Sequence, residues 1–92
     1  MARLDDEGIE RRLAGLEGWE RHGDAIRKRY RGDDFVSSVE LVNRLTPVAE
    51  ELNHHPDLEI SWNQVTVTLS THSEGGLTEH DFELARRIDG VA

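Results

Sequence analysis

Between Leu58 and Leu69 apolar and polar residues alternate in two successive runs. Leu58, Ile60 and Trp62 are separated by Glu59 and Ser61, and Val65, Val67 and Leu69 by Thr66 and Thr68. A period of two marks a strand with one buried face. The link Asn63-Gln64 is too short for a crossover, so the two strands form an antiparallel hairpin. One apolar face on such a hairpin requires cover from helices or further strands.

The remaining segments supply that cover. Residues 5–16 place Ile9, Leu13 and Leu16 at helical spacing, with Asp5 and Asp6 where the helix dipole favours negative charge and Gly18 as a stop. Residues 19–22 and 25–31 read as strands about the turn signal Gly23-Asp24. In the second, Ile26 and Tyr30 share one face and Arg27, Arg29 and Arg31 the other. Gly32-Asp33-Asp34 opens a longer helix with Phe35, Val39, Val42 and Ala49 close to one stripe. Pro47 lies inside it, and because the apolar stripe continues past it we expect a kink near residues 44–46 rather than two helices. Pro56 forces the preceding residues out of the helix. Gly75-Gly76 is a loop, and Thr78 caps a last helix with Phe82, Ala85 and Ile88 inward. The order α-β-β-α-β-β-α predicts an α+β fold: a four-stranded antiparallel sheet with three helices on one face.

Residues 1–92 are expected to form one domain. With 36% hydrophobic residues the core is small, so self-association is a reasonable expectation. A net charge of −8 argues against nucleic acid as a partner, and the run Arg27-Lys28-Arg29-Tyr30-Arg31 reads as a charged strand face. The chain has no cysteine, which excludes disulfides, thiolate chemistry and cysteine-ligated zinc. It has no long apolar run, so neither a membrane span nor a signal peptide is expected, and a cytoplasmic location follows.

Chemistry-bearing residues gather between Glu50 and Asp81. His54 and His55 are adjacent in a loop stiffened by Pro56, and His72 follows the second hairpin strand. Imidazole exchanges protons near neutrality, so convergence of the three suggests proton transfer or a metal. Taken singly, each has a plainer reading: His54 and His55 as solvated loop residues, His72 as a surface residue, Glu50 as an exposed helical glutamate and Trp62 as a core or interface aromatic. Asp81 stands three residues after Thr78, the spacing of a capping box, and could cap the helix and orient an imidazole at once. His54 and His55 should point apart and flank a site rather than stack. Adjacent histidines chelate one ion poorly and the chain has no His-Glu-x-x-His, which argues against a metal.

Glu50, then after three residues His54-His55-Pro56, after five Trp62, after nine His72 and after eight Asp81 form a pattern that resembles the pterin-4a-carbinolamine dehydratase family. Leu16-Glu17-Gly18-Trp19, Leu69-Ser70-Thr71-His72, Gly76-Leu77-Thr78 and Leu84-Ala85-Arg86-Arg87-Ile88-Asp89 extend the likeness over nearly the whole chain. Asn53, Leu58 and His80 depart from the animal members, which carry Asp, an aromatic and Arg there, and these departures bear on affinity and pterin preference.

The resemblance implies dehydration of 4a-hydroxytetrahydropterin to quinonoid dihydropterin and water, with the pterin as substrate and no cofactor or metal. It implies His54 and His55 as the acid/base pair, with His72 binding the pterin and assisting proton transfer. Asp81 would orient His72, Glu50 would bond the amino-pyrimidine edge, and Asn53, Pro56 and Trp62 would shape the site. A homodimer or homotetramer and a functional link to an aromatic amino-acid hydroxylase follow from the same likeness. The competing expectation is a non-catalytic pterin-binding or protein-assembly module on the same fold; three histidines in one window favour catalysis.

Overall fold

The computed structural model describes residues 2–92. Helix α1 (Asp6–Leu13) is followed by strands β1 (Glu20–His22) and β2 (Ala25–Arg31), helix α2 (Phe35–Leu52), strands β3 (Asp57–Ser61) and β4 (Gln64–Leu69), a single 3₁₀ turn (His72–Glu74) and helix α3 (Glu79–Val91). The four strands form one antiparallel sheet in the order β1-β2-β4-β3, so α2 carries the chain from the inner strand β2 to the outer strand β3. The expected α+β order is observed. Helix α1 is shorter than expected, ending at Leu13, though Leu16 is still buried.

Register explains the core. Ile26 opposes Leu69, and Val65 and Val67 lie between Tyr30 and Lys28 on one side and Ile60 and Leu58 on the other. Ile26, Val65, Val67 and Leu69 are buried under Leu41, Leu45 and Val48 of α2 and Phe82, Leu84, Ala85 and Ile88 of α3. Among the described residues, no helix is long and apolar enough to cross a membrane.

Two local expectations need correction. The buried stripe of α2 is Ser38, Leu41, Leu45, Val48 and Ala49, whereas Phe35 and Val39 are exposed. Helix α2 has apolar residues on two neighbouring stripes, and the polar Ser38 disguises the inward one. Its hydroxyl is satisfied there, donating to the Trp62 carbonyl at 2.6 Å. The hairpin turn is Trp62-Asn63, with Ser61 paired to Gln64, rather than Asn63-Gln64. Trp62 takes a left-handed φ of 48°, unfavourable for a bulky residue, and Ser38 and the Gly32–Asn63 hydrogen bonds hold the turn in place.

As expected, α2 remains one helix through Pro47. Its N-terminus is capped by Asp34, whose carboxylate accepts from the Ser37 N–H and hydroxyl; these donors lower its pKa.

Candidate active site

The end of α2 determines where the paired histidines go. Asn53 ends the helix in the left-handed region at φ 49°, a conformation Asn tolerates better than most residues. The His54 N–H still reaches back to the Ala49 carbonyl at 3.1 Å, while Pro56 leads into β3. On this extended segment the two imidazoles diverge, and each meets its own carboxylate.

His54 turns inward. Its Nε2 lies 2.6 Å from Oδ1 of Asp81, which is completely buried, and the His54 side chain is 12% exposed. The second oxygen of Asp81 accepts from the Thr71 hydroxyl at 2.8 Å and from the Thr78 N–H at 2.9 Å, closing a capping box at the start of α3. The ring of His80 packs edge-on against that of His54, with centroids 5.7 Å apart. Asp81 therefore does both things the sequence allowed: it caps a helix and it holds an imidazole.

His55 turns outward and its Nε2 is hydrogen-bonded to Oε2 of Glu50, one turn back on α2. Both groups are exposed, above a shallow depression of about 180 Å³ lined by Leu45, Thr46, Ala49, Pro56 and Leu58. Glu50 thus meets a histidine as its protein partner.

The expectation that Asp81 orients His72 is not met. His72 begins the 3₁₀ turn with its side chain 82% exposed, and its Nε2 is 4.0 Å from an equally open Asp57 carboxylate. Strand phase explains the difference. Residues 65, 67 and 69 point inward, and Thr71 continues that phase toward Asp81, leaving its neighbour His72 on the outer side. Trp62 is also distant, since β3 separates it from the histidine end by roughly 17 Å at about 3.3 Å per residue.

Thr71 and His80 entered the sequence reading only through the family likeness, His80 as a departure from it, and neither was expected beside His54 and Asp81. Thr71 carried a signal, as a hydroxyl on the buried phase of an otherwise apolar strand. Among the described residues, no three ligand-type side chains are grouped to hold a metal ion.

Comparison with known proteins identifies the family and the fold. The family model described as Pterin 4 alpha carbinolamine dehydratase matches residues 2–91. A protein of Sulfolobus acidocaldarius, provisionally named pterin-4-alpha-carbinolamine dehydratase, is 46% identical over 89 residues, covering 97% of this chain and 98% of its own. A relative from Mycobacteroides abscessus with the same provisional name is 48% identical over 89 residues, covering 97% and 95%. Among solved structures, a transcriptional coactivator/pterin dehydratase from Brucella melitensis superposes with a TM-score of 0.93 at 35% identity, over 98% of both chains. A pterin dehydratase-like RuBisCO assembly factor of the alpha-carboxysome shares the fold, with a TM-score of 0.70 at 23% identity over 83% of this chain and 90% of that one. The chain belongs to the pterin-4a-carbinolamine dehydratase family.

Proposed function

We propose that this protein dehydrates 4a-hydroxytetrahydropterin to quinonoid dihydropterin and water by histidine acid/base catalysis. The observation that carries the reading is the pair of adjacent imidazoles, one braced by the buried Asp81 and the other by the exposed Glu50. The reaction removes the proton on N5 and breaks the C4a–O bond, and the hydroxyl leaves as water once protonated. Two imidazoles of different surroundings suit those two proton transfers, with no redox change to provide for. His54 and His55 are the acid/base pair, and His72, on the open side of the same end of the sheet, contacts the pterin. Asn53 and Pro56 serve by setting the directions of the two rings. The chain works in the cytoplasm beside an aromatic amino-acid hydroxylase, whose product is the carbinolamine.

A homo-oligomer is part of this proposal. Every residue of the edge strand β3 is exposed, and Leu58, Ile60 and Trp62 lie open along with Phe35, Val36 and Val39 of α2. A second copy pairing antiparallel along β3 would cover that edge and bring its Trp62 toward the histidine end.

The test is the rate of carbinolamine dehydration for wild type and for His54→Ala, His55→Ala and His72→Ala, with folding checked by circular dichroism. We expect losses on the order of a hundredfold for His54 and His55 and a smaller loss, mainly in KM, for His72. A folded wild type no faster than the spontaneous reaction, yet binding pterin or a protein partner, would favour the non-catalytic module.

A further inference from the structure

We infer that Thr71 is a positioning residue: its hydroxyl fixes Asp81 so that His54 carries its proton on Nε2 and presents a bare Nδ1 for proton exchange. The catalytic consequence rests on the dehydratase reading above, whereas the tautomer is a property of the free protein.

The inference follows from counting protons. Thr71 Oγ1 lies 2.8 Å from Oδ2 of Asp81 and also 2.8 Å from Oγ1 of Thr78. A hydroxyl has one proton to give, and a carboxylate can only accept. Thr71 therefore donates to Asp81, and Thr78 donates to Thr71. Thr78 Oγ1 in turn accepts the His80 N–H at 3.2 Å. The chain of donors runs in one direction and ends on Oδ2, which also takes the Thr78 N–H at 2.9 Å.

With two donors on Oδ2, that oxygen carries no proton, and only Oδ1 faces His54. Imidazole ordinarily holds its proton to a higher pH than a carboxyl group does, so the shared proton resides on Nε2. Asp81 is wholly buried, leaving no water to take the place of a missing donor. A valine at position 71 would fit the space but strand the Thr78 hydroxyl and free one side of the carboxylate to turn.

Thr71→Val tests this against Thr71→Ser, which keeps the hydroxyl. The tautomer of His54 is read in the ligand-free protein by long-range ¹H–¹⁵N NMR, at a pH where the ring ¹⁵N shifts themselves show the neutral imidazole. Turnover of 4a-hydroxytetrahydropterin is measured in parallel. We expect the Nε2–H form in wild type and in Thr71→Ser, and a mixture of tautomers in Thr71→Val. In Thr71→Val, kcat should fall about tenfold with KM nearly unchanged, the size expected of one hydrogen bond to a charged group. If Thr71→Val does not fold, Thr71→Ala provides the same comparison. An Nδ1–H tautomer in wild type would overturn the inference, as would a Thr71→Val protein unchanged in both readouts, or a Thr71→Ser protein as impaired as Thr71→Val. A wild type with the Nε2–H form but no turnover would refute the dehydratase reading and leave the His54 assignment standing.

Discussion

Helix α3 carries an aspartate near each end, Asp81 in its first turn and Asp89 in its last, about 12 Å apart along the axis. Each accepts three hydrogen bonds. Asp81 takes His54, Thr71 and the Thr78 N–H, while Asp89 takes Trp19 Nε1 at 3.1 Å, Lys28 Nζ at 2.9 Å and the Tyr30 hydroxyl. The helix dipole favours the first position and opposes the second. Asp89 therefore needs the fixed cation of Lys28, with side chains only 28% and 22% exposed. Around them Lys28 lies over the Tyr30 ring at 4.9 Å, and Trp19 meets that ring edge-on. A lysine does not change charge near neutrality and an imidazole does. Hydrogen-bond number is thus the same at both ends, and the ends differ in the partner: a lysine ammonium at Asp89 and an imidazole at Asp81.

Asp89→Ala is expected to give the largest stability loss in this comparison. It leaves Lys28 without its anion and the Trp19 and Tyr30 donors without an acceptor, costing about 3 kcal/mol in urea unfolding. Activity per folded molecule, assayed at low temperature, should be almost unchanged. A large loss of kcat with stability intact would break the division between the two ends.

Asp81→Asn should show the reverse. The amide keeps an acceptor for Thr71 and Thr78 but turns an N–H₂ toward His54, forcing that ring into the other tautomer. We expect kcat to fall about a hundredfold, equivalent to about 2.7 kcal/mol at the transition state. Unfolding stability should fall by less than in Asp89→Ala. If Asp81→Asn loses stability but keeps its rate, Asp81 is only a cap.

How far this division could be read from the sequence depends on chain separation. The hairpin and the element order were legible because alternation and turn residues are local signals. The turn itself is one residue earlier than the pattern implied, because Trp62 prolongs the apolar alternation that its left-handed backbone ends. The inward stripe of α2 was obscured by Ser38, whose burial depends on a carbonyl 24 residues away. The site residues lay within one window, but His54 and Asp81 are 27 residues apart. Spacing alone could not choose between His54 and His72 as the partner of Asp81; the phase of β4 decides it. The Asp89 cluster joins residues 59 to 70 positions away in sequence and had no local signal at all.

Alkaline pH offers a milder test of the structural end. Burial, then the hydrogen bond to Asp89 and its negative charge, push the Tyr30 hydroxyl far above its ordinary value. A raised acid is neutral in the folded state while the unfolded chain ionises, so this contribution is complete below about pH 10 and declines above it. Thermal melts between about pH 8 and 11 should show a loss of stability for wild type that is reduced in Tyr30→Phe, although Tyr30→Phe starts lower for want of the hydrogen bond. Equal slopes for the two proteins would mean that Tyr30 ionises as freely in the folded state as in the unfolded one.

Asp34 supplies the smallest effect and the cleanest control. Like Asp81 it caps a helix with a carboxylate that accepts a backbone N–H and a hydroxyl, but it is exposed and no imidazole faces it. Its pKa is lowered by those two donors, so its contribution is present above about pH 4 and is lost as pH falls through the lowered folded value. Asp34→Ser retains an oxygen for the cap while removing the titrating charge. The melting temperatures of wild type and Asp34→Ser should therefore differ slightly at neutral pH and converge in acid, with turnover unaffected. Should Asp34→Ser alter turnover as Asp81→Asn does, the helix ends would be coupled to the site through α2, and the imidazole partner alone could not account for what distinguishes Asp81.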